Sequence, residues 1–90
     1  MSVEITHVHY GSSSKTHPSI DAYQYHYDGE TKLWYRWKAD MVSFLETTTT
    51  AHVKGVQVAV VNDPPTPKFL RTHANGYYND NLLSLPTFSV

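Results

Sequence analysis

Ninety residues with no cysteine, and seven Lys and Arg against eight Asp and Glu, set the first bounds on this chain. There is room for one domain, residues 1–90, with one small core, and the missing thiols exclude a disulfide framework and thiolate metal chemistry. A formal net charge of −1 without a cluster of Lys and Arg argues against nonspecific nucleic-acid binding, which rests on such clusters.

The opening Met-Ser-Val-Glu-Ile-Thr-His has neither a basic n-region nor an apolar h-region. No apolar run approaches the roughly 20 residues needed to span a bilayer. With the absence of cysteine, these features point to a reducing, cytoplasmic setting and away from a membrane.

Val3 to Tyr10 reads as a first strand, with Val3 and Ile5 alternating against Glu4 and Thr6. The alternation then blurs: His7 follows the Val3–Ile5 face, and Val8 and Tyr10 fall opposite. Gly11 to Pro18 is a loop, in which Pro18 biases His17 toward extended geometry. Ile20 to Tyr27 is a second strand, with Tyr23, Tyr25 and Tyr27 on one face and Ile20, Ala22, Gln24 and His26 on the other. Asp28-Gly29 marks a turn, and Leu33 to Trp37 returns as a third strand. A two-residue turn pairs Tyr25 with Lys32; a longer bulged loop pairs Tyr25 with Leu33. The choice matters, because a one-residue slip exchanges the faces.

Ala39 to Glu46 has the spacing of a helix: Met41, Val42, Phe44 and Leu45 recur at i, i+3 and i+4. Asp40 in its first turn suits the helix dipole. The β-branched run Thr47 to Thr50 ends it. Ala51 to Val53 begins a strand, Lys54-Gly55 is a turn or bulge, and Val56 to Val61 is the most buried-looking strand of the chain. Asn62 to Lys68 holds three prolines and reads as a loop or edge crossing. Phe69 to Thr72 is a strand, Asn75-Gly76 a hairpin turn, and Tyr77 and Tyr78 the returning strand. Asp80 or Asn81 then caps one helical turn through Leu82, Leu83 and Ser84, and Pro86 stops it. Leu82, Leu83 and Leu85 cannot all face water, so this tail docks on the core. The sum is an α+β domain: a small antiparallel β-sheet of about five strands with one helix packed on one face.

The tail pattern resembles a known family. Leu-Arg-Thr, four residues containing the Asn-Gly turn, two aromatics, then Asp-Asn-Leu-Leu-x-Leu-Pro is similar to the C-terminal signature of a family of small bacterial and phage proteins catalogued as a domain of unknown function. Val-Glu-Ile-Thr-His-Val resembles that family's opening strand. The resemblance covers both ends well and the middle loosely, and it implies a fold but no mechanism.

Chemistry-bearing patterns are sparse. His7-x-His9 places two imidazoles on one strand face, a geometry zinc can use, with His17, His26, His52, His73 or Asp21 as further ligands. Nothing stands at a diagnostic spacing, so surface or half-buried histidines are the simpler reading, and neither metal nor cofactor is expected. The sequence has no nucleophile elbow, no acid–base pair of readable separation and no Gly-rich phosphate loop, so no catalytic residue is assigned. Arg71 could grip an anion bidentately, although pairing with Asp80 or a backbone carbonyl explains it as well. Asn81 reads as a backbone cap. The aromatic hairpin offers the best binding surface, since Tyr, Trp and Arg are enriched at interfaces. The candidate binding residues are Tyr23, Tyr25, Trp34, Tyr35, Arg36, Trp37 and Arg71, set against the alternative that these rings fill the core. At least two of Tyr23, Tyr25, Trp34, Tyr35 and Trp37 are expected outside the monomer's core and covered by another chain. The expected function is a non-enzymatic protein-interaction module. It would be a phage-type inhibitor or adaptor working through a protein partner or self-association. The alternative is a binder of a small anionic ligand or nucleotide centred on Arg71.

Overall fold

The computed structural model describes residues 2–74, 77–79 and 81–89. In chain order the elements are β1 (Ser2–Tyr10), a 3-10 turn (His17–Ser19), β2 (Ile20–Tyr27), β3 (Trp34–Trp37), α1 (Lys38–Thr47), β4 (Thr50–Val53), β5 (Val56–Val61), β6 (Phe69–Ala74), β7 (Tyr77–Asn79) and a second 3-10 turn (Asn81–Ser84). Seven strands form a sheet in the order β3-β2-β1-β4-β5-β6-β7. Neighbouring strands run antiparallel except β1 and β4, which pair in parallel over Ser2–Glu4 and Thr50–His52. This is the expected α+β class, with two more strands than the expected five.

β1 resolves the blurred alternation. Its register against β2 shifts between Ile5 and His7, so Ile5 faces Tyr25 and Val8 faces Tyr23. The extra residue is a β-bulge. It returns Val8 to the face of Val3 and Ile5 and sends His7 to the opposite face, across from Gln24. Val3, Ile5 and Val8 are all buried. The expectation that His7 follows Val3 and Ile5 is thereby corrected.

The β2–β3 register differs from both expected ones. Tyr25 pairs with Trp34, not with Lys32 or Leu33, and the pairing continues unbroken to Ala22 with Trp37. The connection is a loop of residues 28–33, longer than the two-residue turn that Asp28-Gly29 suggests. Leu33 falls outside the strand and is exposed. Lys54-Gly55 behaves as a tight turn: Val53 pairs with Val56, and both turn residues have positive φ, 51° and 80°. A two-residue type I′ hairpin requires that sign at both positions.

Helix α1 buries Met41, Val42 and Phe44, the expected stripe. It packs against β2 and β3 on one side and β5 and β6 on the other, so the sheet curls around it. The curl brings β6 to the turn before β2 and sets the Tyr23 hydroxyl beside the backbone of Leu70, where burial raises its pKa well above the usual tyrosine range. β1 and β2 hold the most completely buried side chains, including Val3, Ile5, Val8, Ile20 and Tyr23. Val56–Val61 is less buried than expected. Val58 is its buried residue, because its outer face, with Gln57, is open.

The C-terminal tail docks as expected. Leu82 is fully buried, and Leu83 and Leu85 pack on the core from its edge. The chain then runs beside β1: the Val8 amide donates to the Pro86 carbonyl at 3.0 Å and the Phe88 amide to the Val8 carbonyl at 3.2 Å. Asn75-Gly76 and Asp80 lie outside the described residues. Replacing Leu82 by Ala should cost about 2–5 kcal/mol, a large part of the roughly 5–15 kcal/mol of a domain this size. Urea unfolding measures it, and an unchanged midpoint would show that the tail is an appendage.

Candidate functional site

Directly paired residues share a sheet face, so the registers divide the aromatic hairpin in two. The β2 rings Tyr23 and Tyr25 point at α1 and are 0% and 2% exposed. Tyr25 and Tyr27 both meet the Phe44 ring, with centroids 5.8 and 6.5 Å away. The candidate binding residues Tyr23 and Tyr25 are therefore core. The β3 rings are not: Trp34, Tyr35 and Trp37 are 43%, 51% and 48% exposed. The expectation of at least two aromatics outside the monomer's core therefore holds for these three.

Arg36 ties β3 to the core. Its Nε donates to the Tyr25 hydroxyl at 2.9 Å, and its guanidinium lies 4.1 Å from the centre of the Phe44 ring, a cation–π contact. Burial raises the Tyr25 pKa, with the Arg36 hydrogen bond pulling the other way. Trp34 shares this helix-side face but lies beyond the helix, with Lys32 Nζ 4.2 Å above its ring.

Tyr35 and Trp37 stand on the outer face. Their rings meet edge-on at 6.3 Å and 80°. Phe88, brought over by the tail, meets Tyr35 at 6.1 Å and 57° and His9 at 6.2 Å and 68°. His9 is held by Asp21, Nδ1 to Oδ1 at 2.5 Å. Gly11 leaves room for this pair, since a Cβ there would lie 2.9 Å from Asp21 Oδ2. The result is a row of Trp37, Tyr35, Phe88 and His9 across three strands. Phe88 was not legible as a site residue; its position follows from the tail's pairing with β1.

A second cluster sits on the outer face where β1, β2 and β4 meet. His52 Nε2 lies 2.9 Å from Asp28 Oδ1, and its Nδ1 lies 3.7 Å from Glu4 Oε1. The Ser2 hydroxyl also donates to Asp28. A groove of about 340 Å³ runs alongside, lined by Ser2, Thr50, Ala51, His52, Gly55 and Gln57. In this cluster the carboxylate stands between Ser and His. A nucleophilic triad instead needs the imidazole between them to take the hydroxyl proton, so His52 does not activate Ser2. Among the described residues no group of three or more His, Asp or Glu is placed to hold a metal ion. His7 Nδ1 lies 2.9 Å from the Thr6 hydroxyl.

Arg71 stands in β6 opposite Ala59. It lines neither the groove beside His52 nor the two other cavities described, one of about 420 Å³ along Leu45–Thr50 and one of about 270 Å³ between Lys38, Ala39, Val42, Pro67 and Lys68. Its expected partner Asp80 lies outside the described residues. No helix among the described residues is long and apolar enough to cross a membrane.

The fold and surface define a small α+β domain, one helix in a curled sheet, with an open aromatic edge. The chain belongs to the family described as a protein of unknown function, DUF3892, whose match spans residues 4–86. No curated protein and no solved structure matches it significantly.

The Ser2 and His52 contacts hold the Asp28 carboxyl below the usual aspartate range. A depressed folded pKa gives stability that is present above the unfolded value of about 3.9 and lost as pH falls through the folded one. Asp28→Asn should therefore flatten the acid limb of the stability–pH curve below about pH 4. Thermal melts from pH 2 to 7 measure it, and parallel curves for both proteins would exclude the effect.

Proposed function

We propose that this domain is a non-enzymatic protein-interaction module acting through β3 and the outer aromatic row. One observation carries the reading: Trp34, Tyr35 and Trp37 are each more than two-fifths exposed on a four-residue strand, while the tyrosines of the adjoining strand are packed. A contiguous exposed apolar patch is a mark of an interaction surface, and Tyr, Trp and Arg dominate binding hot spots. Base stacking relies on a positively charged groove beside the rings, and a chain of net charge −1 gives it less support. The small size and the resemblance to bacterial and phage proteins fit an inhibitor or adaptor in a cytoplasmic setting. The anionic-ligand reading gains less support, because Arg71 stands away from the cavities described.

Tyr35→Ala and Trp37→Ala should shift stability by no more than about 1 kcal/mol, while each costs more than about 2 kcal/mol of partner binding if it is a hot spot. Tyr25→Ala should instead cost about 3–5 kcal/mol of stability. Affinity capture from the source cell identifies the partner, and titration of each variant measures the loss. If every aromatic variant unfolds the domain and none alters association, the reading fails.

A further inference from the structure

β3 is the end strand of the sheet, pairing only with β2 among the described residues. Alternate residues of an end strand turn their N–H and C=O groups away from the sheet, so two of the four residues of β3 offer a backbone ladder to a new strand. The devices that usually blunt such an edge are shortness, charged side chains, proline, a bulge or covering chain. Trp-Tyr-Arg-Trp contains no proline, and its register with β2 is unbroken. What the edge does carry is charge: residues 32–38 contain Lys32, Arg36 and Lys38 and no carboxylate.

That spacing argues against a second copy as the occupant. Opposed pairs in an antiparallel ladder alternate between hydrogen-bonded and non-hydrogen-bonded. A two-fold axis relating two β3 strands must therefore set some residue opposite itself. Centred on Trp34, such a pairing opposes Lys32 to Arg36; centred on Tyr35, Lys32 to Lys38. Centred on Arg36 it opposes Arg36 to itself, and on Trp37, Arg36 to Lys38. Every register centred on a residue of β3 sets cation against cation, which destabilises a strand pair. A slip to Leu33 sets Arg36 opposite Glu30, but it pairs β3 with the loop of residues 28–33, which is not a strand.

Resting on the interaction-module reading, we infer that β3 accepts an extended segment of a different protein by strand addition. That segment carries carboxylates at i and i+4 flanking an apolar residue. On the helix-side face its acids meet Lys32 and Arg36 while the apolar residue between them covers Trp34. On the outer face its apolar side chains meet Leu33 and Tyr35. Main-chain hydrogen bonds then provide affinity and the alternating side chains specificity.

The probes are two synthetic peptides, acetyl-Gly-Glu-Val-Leu-Val-Glu-Gly-amide and its counterpart with both Glu replaced by Lys, titrated into the 15N-labelled full chain. The acidic peptide should shift the amides of residues 33–38 and bind at least about tenfold more tightly than the basic one, the scale of one or two ion pairs. Lys32→Glu, which changes one of the two contacted cations, should remove most of the preference while keeping the wild-type spectrum elsewhere. Four results would overturn strand addition by an acidic segment. These are unmoved β3 amides at millimolar acidic peptide, equal binding of both peptides, a preference undiminished by Lys32→Glu, and a wild-type dimer joined through β3 in sedimentation and NMR. If β3 ignores the peptides but Trp37→Ala loses the captured partner, the interaction module stands and strand addition falls. If the peptides bind as expected but Tyr35→Ala and Trp37→Ala keep the partner, strand addition stands and the aromatic-row reading falls.

Discussion

The packing of α1 into the concave face of the sheet is the contact on which the other features depend. Ten residues of helix span about 15 Å, and a helix with its side chains is roughly 10–12 Å wide. Strands lie about 4.8 Å apart, so a flat sheet of seven would leave most of one face bare. The sheet curls instead, and β2, β3, β5 and β6 all reach the helix. Met41 and Phe44 meet the tyrosine face of β2, and Leu70 closes from the far side beside Tyr23. The β1 bulge belongs to the same solution: without the extra residue, Val8 would point away from the core that Val3 and Ile5 enter.

This arrangement leaves β3 at the margin. The helix begins directly after Trp37, so its first turn rises where the strand ends and its apolar stripe serves β2 first. Arg36 bridges the gap with its aliphatic and guanidinium groups over Phe44 and Tyr25, which fixes the strand while its aromatic neighbours stay exposed. The tail adds to that surface from the other direction. Leu82 fills the core and the backbone of Pro86 to Phe88 pairs with β1, so Phe88 lands beside Tyr35 and His9. A single buried leucine thereby helps to position an exposed ring.

The Ser2–Asp28–His52–Glu4 cluster has a different origin. It exists because β1 and β4 pair in parallel for three residues, placing His52 beside Glu4 and within reach of the loop after β2. Its groups are exposed, so solvent screens their attraction. The hydrogen bonds to Asp28 still couple the junction of three strands to acid pH.

Much of this was legible in local sequence. Ile20–Tyr27 alternates cleanly and is a strand between those bounds. The i, i+3, i+4 spacing of Met41, Val42, Phe44 and Leu45 fixes both helix and face. Lys54-Gly55 turns tightly, and three leucines after residue 80 require a buried tail. These signals are short-range, because backbone periodicity and turn sterics act over a few residues. Which strands neighbour one another was decided only in three dimensions, by closure of the sheet around one helix. That closure set the parallel β1–β4 contact, the Tyr25–Trp34 register and the fate of the aromatics. Tyr25 and Tyr35 carry the same side chain in similar strand contexts. One became core and the other surface because Tyr25 lies on the face the helix covers, while the register sets Tyr35 beside Gln24 on the outer face.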